Sequence, residues 1–372
     1  MKRIGIIGAG ISGLVFASLI RENPNFEITI FEKDQIQNNS INGIQLSPNA
    51  MAILDKLKFS NFNKDKFFNI RGINFFDICE NKKISTMSFD YLNRNQYISL
   101  NRSDLINFLI NEFLLQEIII NKCVKQIDNN KVILEDQSEV SFDILIVSDG
   151  IFSKIRPKNI KPIYSGYSAY RGFFKNSVQK EYIDLFLGKD FHLVCYPIDK
   201  LQNSSFTMVE KTSQIHNDSE YNFEIKNFKE KLKNLSILNL EDIVNCTKVK
   251  MWPIFKLNKI FYGEKDMFFI GDSAHGFIPS RAQGAAQAIE DSYALYKFII
   301  AKNLSVKKFY DFRASRINKI KKKSENNLVI FHMKFFLLRW IRNFIIKIIC
   351  FFKPLTKIFN SFIFDYKIDQ KL

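Results

Sequence analysis

The 372-residue sequence predicts an α/β fold with a second, sheet-rich lobe and a helical C-terminal segment. Three observations support this. An apolar run, a glycine-rich turn and a helix-like segment open the chain, a middle region alternates strand-like runs with polar turns, and the last quarter has a helical pattern. Hydrophobic residues make up 46% and charged residues 25%, which is typical of globular proteins and excludes a mostly disordered or collagen-like chain.

The opening segment predicts a β-α-β unit. Residues 4–7 are an apolar strand, 12–22 a helix-like segment and 27–31 a second strand. The middle region, from about 162 to 260, contains short apolar runs between polar turns and indicates an antiparallel sheet. After about residue 285 the pattern is helical again to about residue 352.

Three glycines at GxGxxG spacing join the first strand to the helix. Gly8 permits a tight turn, Gly10 lets the backbone approach a pyrophosphate, and Gly13 allows the helix to pack closely on the strand. The N–H groups at the helix start then face the anion. Glu32 ends the second strand, where it can accept hydrogen bonds from adenosine ribose hydroxyls. A dinucleotide site is predicted; a glycine turn in another α/β fold is the alternative, and it gives no reason for Glu32.

Two later strand ends carry carboxylates. Asp149 follows the apolar run 142–147 and precedes a glycine, and Asp272 follows Gly271 at the end of another apolar run. In α/β sheets the carboxyl edge of the strands is where ligands bind. A loop then leads into a helix starting near Gly284, whose N-terminus can face a phosphate or a flavin carbonyl. Alternatively, Asp149 only caps a turn.

With these three motifs in this order, the chain resembles the single-component flavoprotein aromatic hydroxylases. This chain has Ala282 where many members have glycine, and in this respect it resembles the salicylate hydroxylase and 6-hydroxynicotinate 3-monooxygenase branch. The resemblance implies a Rossmann-like FAD-binding domain, FAD as cofactor and NADH or NADPH as co-substrate. It also implies a monooxygenase that uses O2 and a flavin C4a-hydroperoxide to hydroxylate a phenolic or carboxylated aromatic compound.

The resemblance assigns cofactor roles to individual residues. The glycine turn would hold the FAD pyrophosphate, Arg102 the phosphates or ribityl chain, and Asp272 the ribityl hydroxyls. Alternatively, Arg102 is a solvated residue at a helix start. The backbone at Gly284 would donate hydrogen bonds to the flavin ring. The residues expected at the cofactor are Gly8, Gly10, Ser12, Gly13, Glu32, Lys33, Arg102, Asp149, Asp272, Gly284 and Ala285. Those expected at the substrate are Gln45, Tyr170, Pro279 and Gln283.

A base is useful for this chemistry because deprotonating a phenol makes its ring more electron-rich. Histidine suits the role. The chain has four: His275 belongs to the Gly-Asp motif, His216 lies in a polar loop and His332 in the basic tail, which leaves His192. Tyr196 is four residues further on a predicted strand, so both project to one face. By resemblance both are catalytic; alternatively, His192 is only hydrogen-bonded within the sheet.

The expected domains are two halves of an FAD-binding domain, 1–160 and 263–300, with a mainly sheet substrate domain, 161–262, between them. A basic helical segment, 301–372, follows. The formal charge is +16, and residues 302–353 contain fourteen Lys or Arg against two acidic residues. This segment could pack on the protein, bind a second copy of the chain or rest on an anionic membrane.

The partners and location follow from what the sequence lacks. Cysteines without CxxC pairs indicate a reducing compartment and no metal site. Because a strand begins close to Met1, no secretory signal is expected, and a cytoplasmic location is predicted, with the inner face of a membrane as an option. Nucleic-acid binding is not expected. The alternatives to a hydroxylase are a flavin dehydrogenase that ignores O2, a peripheral-membrane hydroxylase of a quinone precursor, and a membrane-associated FAD-binding protein with vestigial chemistry.

Overall fold

Two large sheets and a set of C-terminal helices build the structure, a computed structural model that describes residues 1–35, 42–93, 95–128, 130–175, 181–213, 226–228, 230–232, 243 and 249–372. His216 lies outside these residues. The longer helices are α1 (Ile11–Ile20), α2 (Pro48–Leu54), α3 (Arg102–Glu112), α4 (Gly284–Ile300), α5 (Val306–Phe331), α6 (Phe336–Phe351) and α7 (Lys353–Phe364). The strands are β1 (Lys2–Ile7), β2 (Phe26–Phe31), β3 (Gly43–Leu46), β4 (Phe67–Asn69), β5 (Gly72–Asp77), β6 (Lys82–Ser88), β7 (Ile98–Asn101), β8 (Ile119–Ile120), β9 (Val124–Asp128), β10 (Lys131–Leu134), β11 (Glu139–Ser141), β12 (Ile144–Val147), β13 (Pro162–Lys175), β14 (Tyr182–Leu187), β15 (Phe191–Pro197), β16 (Asn203–Lys211), β17 (Lys250–Leu257), β18 (Gly263–Glu264) and β19 (Met267–Phe269).

The first sheet has the strand order β18-β19-β12-β1-β2-β8 and is parallel except at β18. Strand β12 is buried along its whole length and β1 from Ile4 onward because helices cover the sheet, and this explains why β12 is the unbroken apolar run Ile-Leu-Ile-Val. The predicted β-α-β unit is confirmed and consists of β1, α1 and β2. Helix α4 packs against α1, so the two glycine-rich segments of the sequence lie together.

The second sheet has the order β17-β13-β16-β15-β14-β5-β6, and only β14 and β5 pair in parallel. One face packs on a cluster that includes Phe206, Met208 and Phe228. The predicted mixed α/β fold with a second, sheet-rich lobe is confirmed. Strands β5 and β6 come from residues before 160, so the sheet is not built from 161–262 alone. The domain boundaries remain a prediction.

Two smaller three-stranded sheets complete the described strands. In the order β3-β7-β4, the first lies beside the large sheet, with contacts from β7 to β15 and from β3 to β16. The second, β11-β10-β9, packs Val132 and Leu134 with Phe31 of the parallel sheet. The first of these sheets brings the residues around Gln45 next to the second lobe.

The basic C-terminal segment folds as α5, α6 and α7. Helix α5 begins at a capped residue, Ser305, whose hydroxyl accepts a hydrogen bond from the Lys308 N–H. Pro354 lies in the first turn of α7, where it cannot extend α6 and is tolerated as a helix start. Helix α6 packs against β6, the edge strand of the large sheet. Across the described residues we find no helix with the length and apolar character needed to cross a bilayer.

Candidate active site

A single continuous cavity of about 840 Å³ reaches from the glycine turn to the large sheet and on to α6 and α7. Its lining includes residues predicted to contact the cofactor and residues predicted to contact the substrate. The predicted residues along its wall are Gly10, Ser12, Gln45, Arg102, His192, Tyr196, Asp272, Pro279, Gln283, Gly284 and Ala285. The proposed base and the proposed cofactor positions therefore share one space.

The glycine turn has the geometry that a dinucleotide needs. Gly8 has φ +99°, and a Cβ there would lie 2.7 Å from the Ser148 carbonyl oxygen. A Cβ on Gly13 would lie 2.2 Å from the Gly8 carbonyl oxygen, so α1 approaches β1 more closely than any side chain permits. Gly10 differs, since its nearest neighbours, among them Arg102 Nη2, would be 3.8 Å from an added Cβ. The space in front of Gly10 is open to a ligand.

Glu32 is held beside this turn. Its Oε2 accepts a hydrogen bond from the Ala9 N–H at 2.7 Å, and its Oε1 accepts one from the Asp34 N–H at 3.1 Å. The carboxylate is therefore fixed at the carboxyl end of β2, where a ribose hydroxyl would meet it. Lys33, also predicted at the cofactor, has an exposed side chain 3.8 Å from Asp34 and is not among the cavity-lining residues.

Opposite charges face the cavity near the glycine turn. Burial lowers the pKa of Arg102, while Asp272 and Glu32 act in the opposite direction. Burial raises the pKa of Asp272, and His275 and Arg102 oppose that shift. The Asp272 side chain is crowded by protein atoms yet accessible to solvent, because the cavity reaches it. A guanidinium can donate charge-assisted hydrogen bonds to phosphate oxygens, and a carboxylate can accept hydrogen bonds from the hydroxyls of a polyol chain.

The start of α4 is also open. An added Cβ on Gly284 would have no atom within 4 Å, and both Gly284 and Ala285 line the cavity. Gln283 is held just before the helix, where its Nε2 donates to Ser47 Oγ at 2.9 Å. Free N–H groups at a helix start can bind a carbonyl or an anion. With the open space at Gly10 and the charge pair Arg102 and Asp272, these residues fit FAD.

A buried ion network, which the sequence did not indicate, fixes the Gly-Asp turn. Asp291 Oδ2 accepts from the Gly271 N–H at 3.0 Å and lies 2.6 Å from His275 Nε2. Arg313 Nε donates to Asp291 Oδ1 at 2.7 Å, and Arg313 Nη1 donates to Glu290 Oε2 at 2.7 Å. Burial alone would raise the pKa of Asp291, but His275 and Arg313 lower it below its usual value. His275 is thus engaged with Asp291 and does not line the cavity.

The same network extends to the end of the chain. Arg316 Nε and Nη2 donate to the Glu290 carboxylate at 2.7 Å, and Arg316 Nη1 donates to the Phe362 carbonyl oxygen at 3.0 Å. The Tyr366 ring lies over the Arg316 guanidinium, 3.5 Å from the ring centroid. Helix α4 of the cofactor region is therefore joined to the last turn of α7 through one arginine.

His192 contacts His332 of the basic C-terminal segment. Its Nδ1 lies 2.9 Å from Nε2 of His332, the residue that follows α5. Burial lowers the pKa of His192 well below its usual value, and burial lowers that of His332 to about 4. Both rings are neutral at neutral pH, so one nitrogen donates and the other accepts. No local signal could reveal a pair 140 residues apart.

Tyr170 and Arg171 are neighbours in β13, so their side chains point to opposite faces of the sheet. Tyr170, predicted at the substrate, is fully buried on the far face of the sheet, where its ring stacks on Phe228 with centroids 5.1 Å apart. It does not line the cavity. Arg171 does, and its Nε is buried without a hydrogen-bond partner in the described part of the chain. We therefore replace Tyr170 by Arg171 as the cavity-facing residue, because successive side chains of a strand point to opposite faces.

Tyr196 lies near this arginine. Burial raises the pKa of the Tyr196 phenol, and hydrogen bonding with Ser205 and the charge of Arg171 oppose that shift. His192, Val194 and Tyr196 all line the cavity, as their spacing on β15 predicts. His192, Arg171 and Tyr196 are polar side chains that the sheet presents to the cavity.

The Asp-Gly motif supports the site from the side. Gly150, with φ +84°, lines the cavity, whereas Asp149 does not. Burial raises the pKa of Asp149 to about 6, and a hydrogen bond with Ser153 opposes the shift. Arg156 Nη1 donates to the Ser273 carbonyl oxygen at 2.7 Å. This hydrogen bond connects the Asp-Gly motif to the Gly-Asp motif.

The histidine pair predicts acid sensitivity. The unfolded chain takes up protons on His332 as pH falls below about 6.5, whereas the folded protein does so only near pH 4. Stability that is complete above pH 6.5 is therefore lost progressively as pH falls from 6.5 towards 4. His332→Gln, which can still hydrogen-bond His192, is expected to lose less free energy of unfolding between pH 7 and pH 5 than the parent. Urea unfolding at both pH values measures this; parallel losses would contradict it.

Comparisons with known proteins agree with this site. The family described as "NAD(P)-binding Rossmann-like domain" matches residues 6–36, which contain the glycine turn and Glu32. 3-Amino-4-hydroxybenzoate 2-monooxygenase of Streptomyces cremeus is 22% identical over 354 residues, covering 89% of this chain and 88% of that protein. A chloroplastic zeaxanthin epoxidase of an Oncidium hybrid is 28% identical over 337 residues, or 79% of this chain. The chain spans only 48% of that relative's length.

A solved structure shows the same fold over the whole chain. HpxO of Klebsiella pneumoniae, complexed with FAD and uric acid, superposes with a TM-score of 0.76 at 17% sequence identity and covers 100% of this chain and 96% of its own. The resemblance predicted from the three sequence motifs is confirmed: the chain is similar in sequence to FAD-dependent aromatic monooxygenases.

Proposed function

We propose that the protein is an FAD-dependent monooxygenase that hydroxylates an aromatic compound at the expense of NADH or NADPH and O2. One observation carries the proposal: a single cavity contains the residues that fit FAD and, facing them from the sheet, His192 and Tyr196. FAD, when bound and reduced by the nicotinamide, supplies the activation of O2. One oxygen atom enters a ring C–H bond to give the hydroxyl, and the other leaves as water with the two electrons of NAD(P)H.

The residues of the chain bind and prepare the substrate. Neutral His192 can accept the proton of a phenol, and its Nδ1 contact with His332 fixes the ring. Arg171 lines the same cavity, and its guanidinium is a group that can pair with a carboxylate or a phenolate oxygen. Apolar side chains of the sheet exclude water from the reacting ring. This arrangement favours a substrate with an acidic or anionic group on an aromatic ring.

The decisive experiment measures NADH and NADPH oxidation by the FAD-loaded protein, with O2 uptake and peroxide followed, against phenols, benzoates, hydroxynicotinates and quinone precursors. We expect one class to accelerate oxidation and to acquire one oxygen atom from 18O2. Turnover that needs an added electron acceptor and produces no oxygenated compound would instead show a dehydrogenase. Retention of FAD with no turnover in any assay would favour a vestigial binding protein.

Replacing the base separates its role from that of the cofactor. His192→Ala is expected to keep FAD and to slow product formation by about 10²–10⁴-fold, while the rate of flavin reduction changes little. Val194→Ala is the matched control, because Val194 lines the same cavity two residues along the same strand. Stopped-flow absorbance gives both rates. Unchanged product formation in His192→Ala would remove His192 as the base.

A lipophilic substrate is a second candidate, favoured by the far end of the cavity. Beyond His192 the walls are mostly apolar, apart from residues such as Arg342 and Asn360, and come from the sheet on one side and from α6 and α7 on the other. They are formed by Ile73, Phe75, Met87, Ile183, Leu185, Ile341, Ile345, Ile349, Ile363 and Phe364. An alkyl or isoprenoid chain on the ring would fill this space. Phenols with and without such a chain test it, since the chain should lower KM.

A further inference from the structure

One face of helix α6 presents large apolar side chains to solvent. Leu337 is 65%, Trp340 53%, Phe344 51% and Phe351 79% exposed. Ile358 of α7 is 67% exposed. These five side chains, with Lys347 and Lys357, are called here the α6–α7 outer surface. Single exposed apolar residues are ordinary, whereas a contiguous row marks an interaction site.

The buried side of α6 explains why the helix cannot turn its apolar face inward. Arg342 Nη2 and Asn343 Nδ2 donate to Asp77 Oδ2 at 2.8 and 2.7 Å, and Arg342 and Asp77 are almost completely buried. Rotating the helix would separate this ion pair and leave Asp77 buried without its partner, at a large cost. The orientation of the outer surface is therefore set by the structure itself.

A third face of α6 is already used by the cavity. Leu338, Ile341 and Ile345 line it, whereas none of the five apolar residues of the outer surface does. Helix α6 thus has a polar face on the sheet, an apolar face on the cavity and a second apolar face in solvent. The cavity alone does not explain the outer surface.

The positive charge of the α6–α7 outer surface favours a negatively charged partner. No acidic residue occurs from 326 to 364, and Lys347 and Lys357 are exposed beside the apolar row. A second copy joined by a two-fold axis would bring this surface against itself, lysine facing lysine with no acid to compensate. An anionic lipid surface complements both the lysines and the apolar, tryptophan-containing row. We propose that the α6–α7 outer surface docks the protein on an anionic bilayer.

Vesicle flotation of the full-length, FAD-loaded protein tests the proposal without measuring turnover, so its result is independent of the reaction proposed above. We expect binding to vesicles of phosphatidylcholine with 30% phosphatidylglycerol, weaker binding at high salt, and little binding to pure phosphatidylcholine. Trp340→Ser/Phe344→Ser and Lys347→Glu/Lys357→Glu should each lower the vesicle partition coefficient by at least about tenfold. The charge variant keeps the test valid if the serine variant fails to fold.

Matched changes outside the two helices serve as controls. Leu201, 68% exposed, gives Leu201→Ser, and exposed lysines elsewhere give Lys64→Glu/Lys161→Glu. These variants should bind vesicles like the parent. Equal losses in control and test variants would overturn the proposal, as would binding that ignores lipid charge. A stable dimer that both α6–α7 variants convert to monomer, without vesicle binding by the parent, would assign the surface to a second copy of the chain.

Discussion

Arg313→Leu is expected to destabilise the protein by about 3–5 kcal/mol and to abolish FAD retention. Arg313 is completely buried and is the cation shared by Glu290 and Asp291. Without it, Glu290 still has Arg316, but Asp291 has no arginine partner and keeps only neighbours such as His275 and the Gly271 N–H, so the desolvation of the Asp291 carboxylate is no longer compensated. Because Asp291 also accepts the Gly271 N–H, the turn that carries Asp272 should lose its geometry.

Urea unfolding and the flavin absorbance of purified protein measure the two effects. Lys319→Leu is the matched control, since Lys319 lies on the same helix with an exposed side chain, and its change should stay within about 0.5 kcal/mol. Arg313→Lys keeps the charge but not the planar fork, so we expect an intermediate loss. If Arg313→Leu retained both stability and flavin, the network would have no part in holding the Gly-Asp turn.

Gly10→Val is expected to leave the protein folded but to weaken FAD binding at least about a hundredfold, which corresponds to about 3 kcal/mol. Gly10 has φ −78° and ψ −179°, an extended conformation that valine adopts readily, and the nearest atoms to an added Cβ are 3.8 Å away. The new side chain therefore fills the space left for the pyrophosphate without disturbing the turn.

Equilibrium titration of the apo-protein with FAD, followed by quenching of flavin fluorescence, gives the affinity. Gly10→Ala adds one carbon and should lose less affinity than Gly10→Val, while circular dichroism should be unchanged in both. Gly13→Val serves as the opposite case, since its side chain would overlap the Gly8 carbonyl and damage the fold itself. Undiminished FAD affinity in folded Gly10→Val would show that the cofactor does not pass over this turn.

The cofactor side of the site can be predicted from the sequence because the predicted contacts depend on local backbone geometry. A backbone position with φ +99°, such as Gly8, and an open helix start, such as that at Gly284, both favour glycine, so they appear in the sequence as glycines within recognisable motifs. Strand alternation likewise places His192 and Tyr196 on one face. It also predicts that Tyr170 and Arg171 face opposite ways, but not which of them faces the cavity, because that depends on how the sheet packs.

The remaining features depend on contacts between distant segments. His192 with His332 and Asp77 with Arg342 join residues 140 and 265 positions apart, and neither pair has a motif. The large sheet of the second lobe also includes β5 and β6 from the first part of the chain. Dividing the sequence into consecutive domains does not predict this. The charge excess of the tail marks the segment, but only its packing shows that Arg342 is buried and Trp340 is exposed.

The bond from Arg316 to the end of α7 has a consequence for how the two ends of the molecule communicate. Arg316 holds Glu290 of the cofactor-region helix with one part of its guanidinium and the Phe362 carbonyl with another. Through Arg316, α7 is therefore joined to the helix whose start would face the flavin. Linkage is reciprocal, so any gain in flavin affinity on a bilayer must be matched by an equal gain in bilayer affinity once flavin is bound. Such coupling would let an apo-protein stay in solution and a flavin-loaded one collect at its lipid surface.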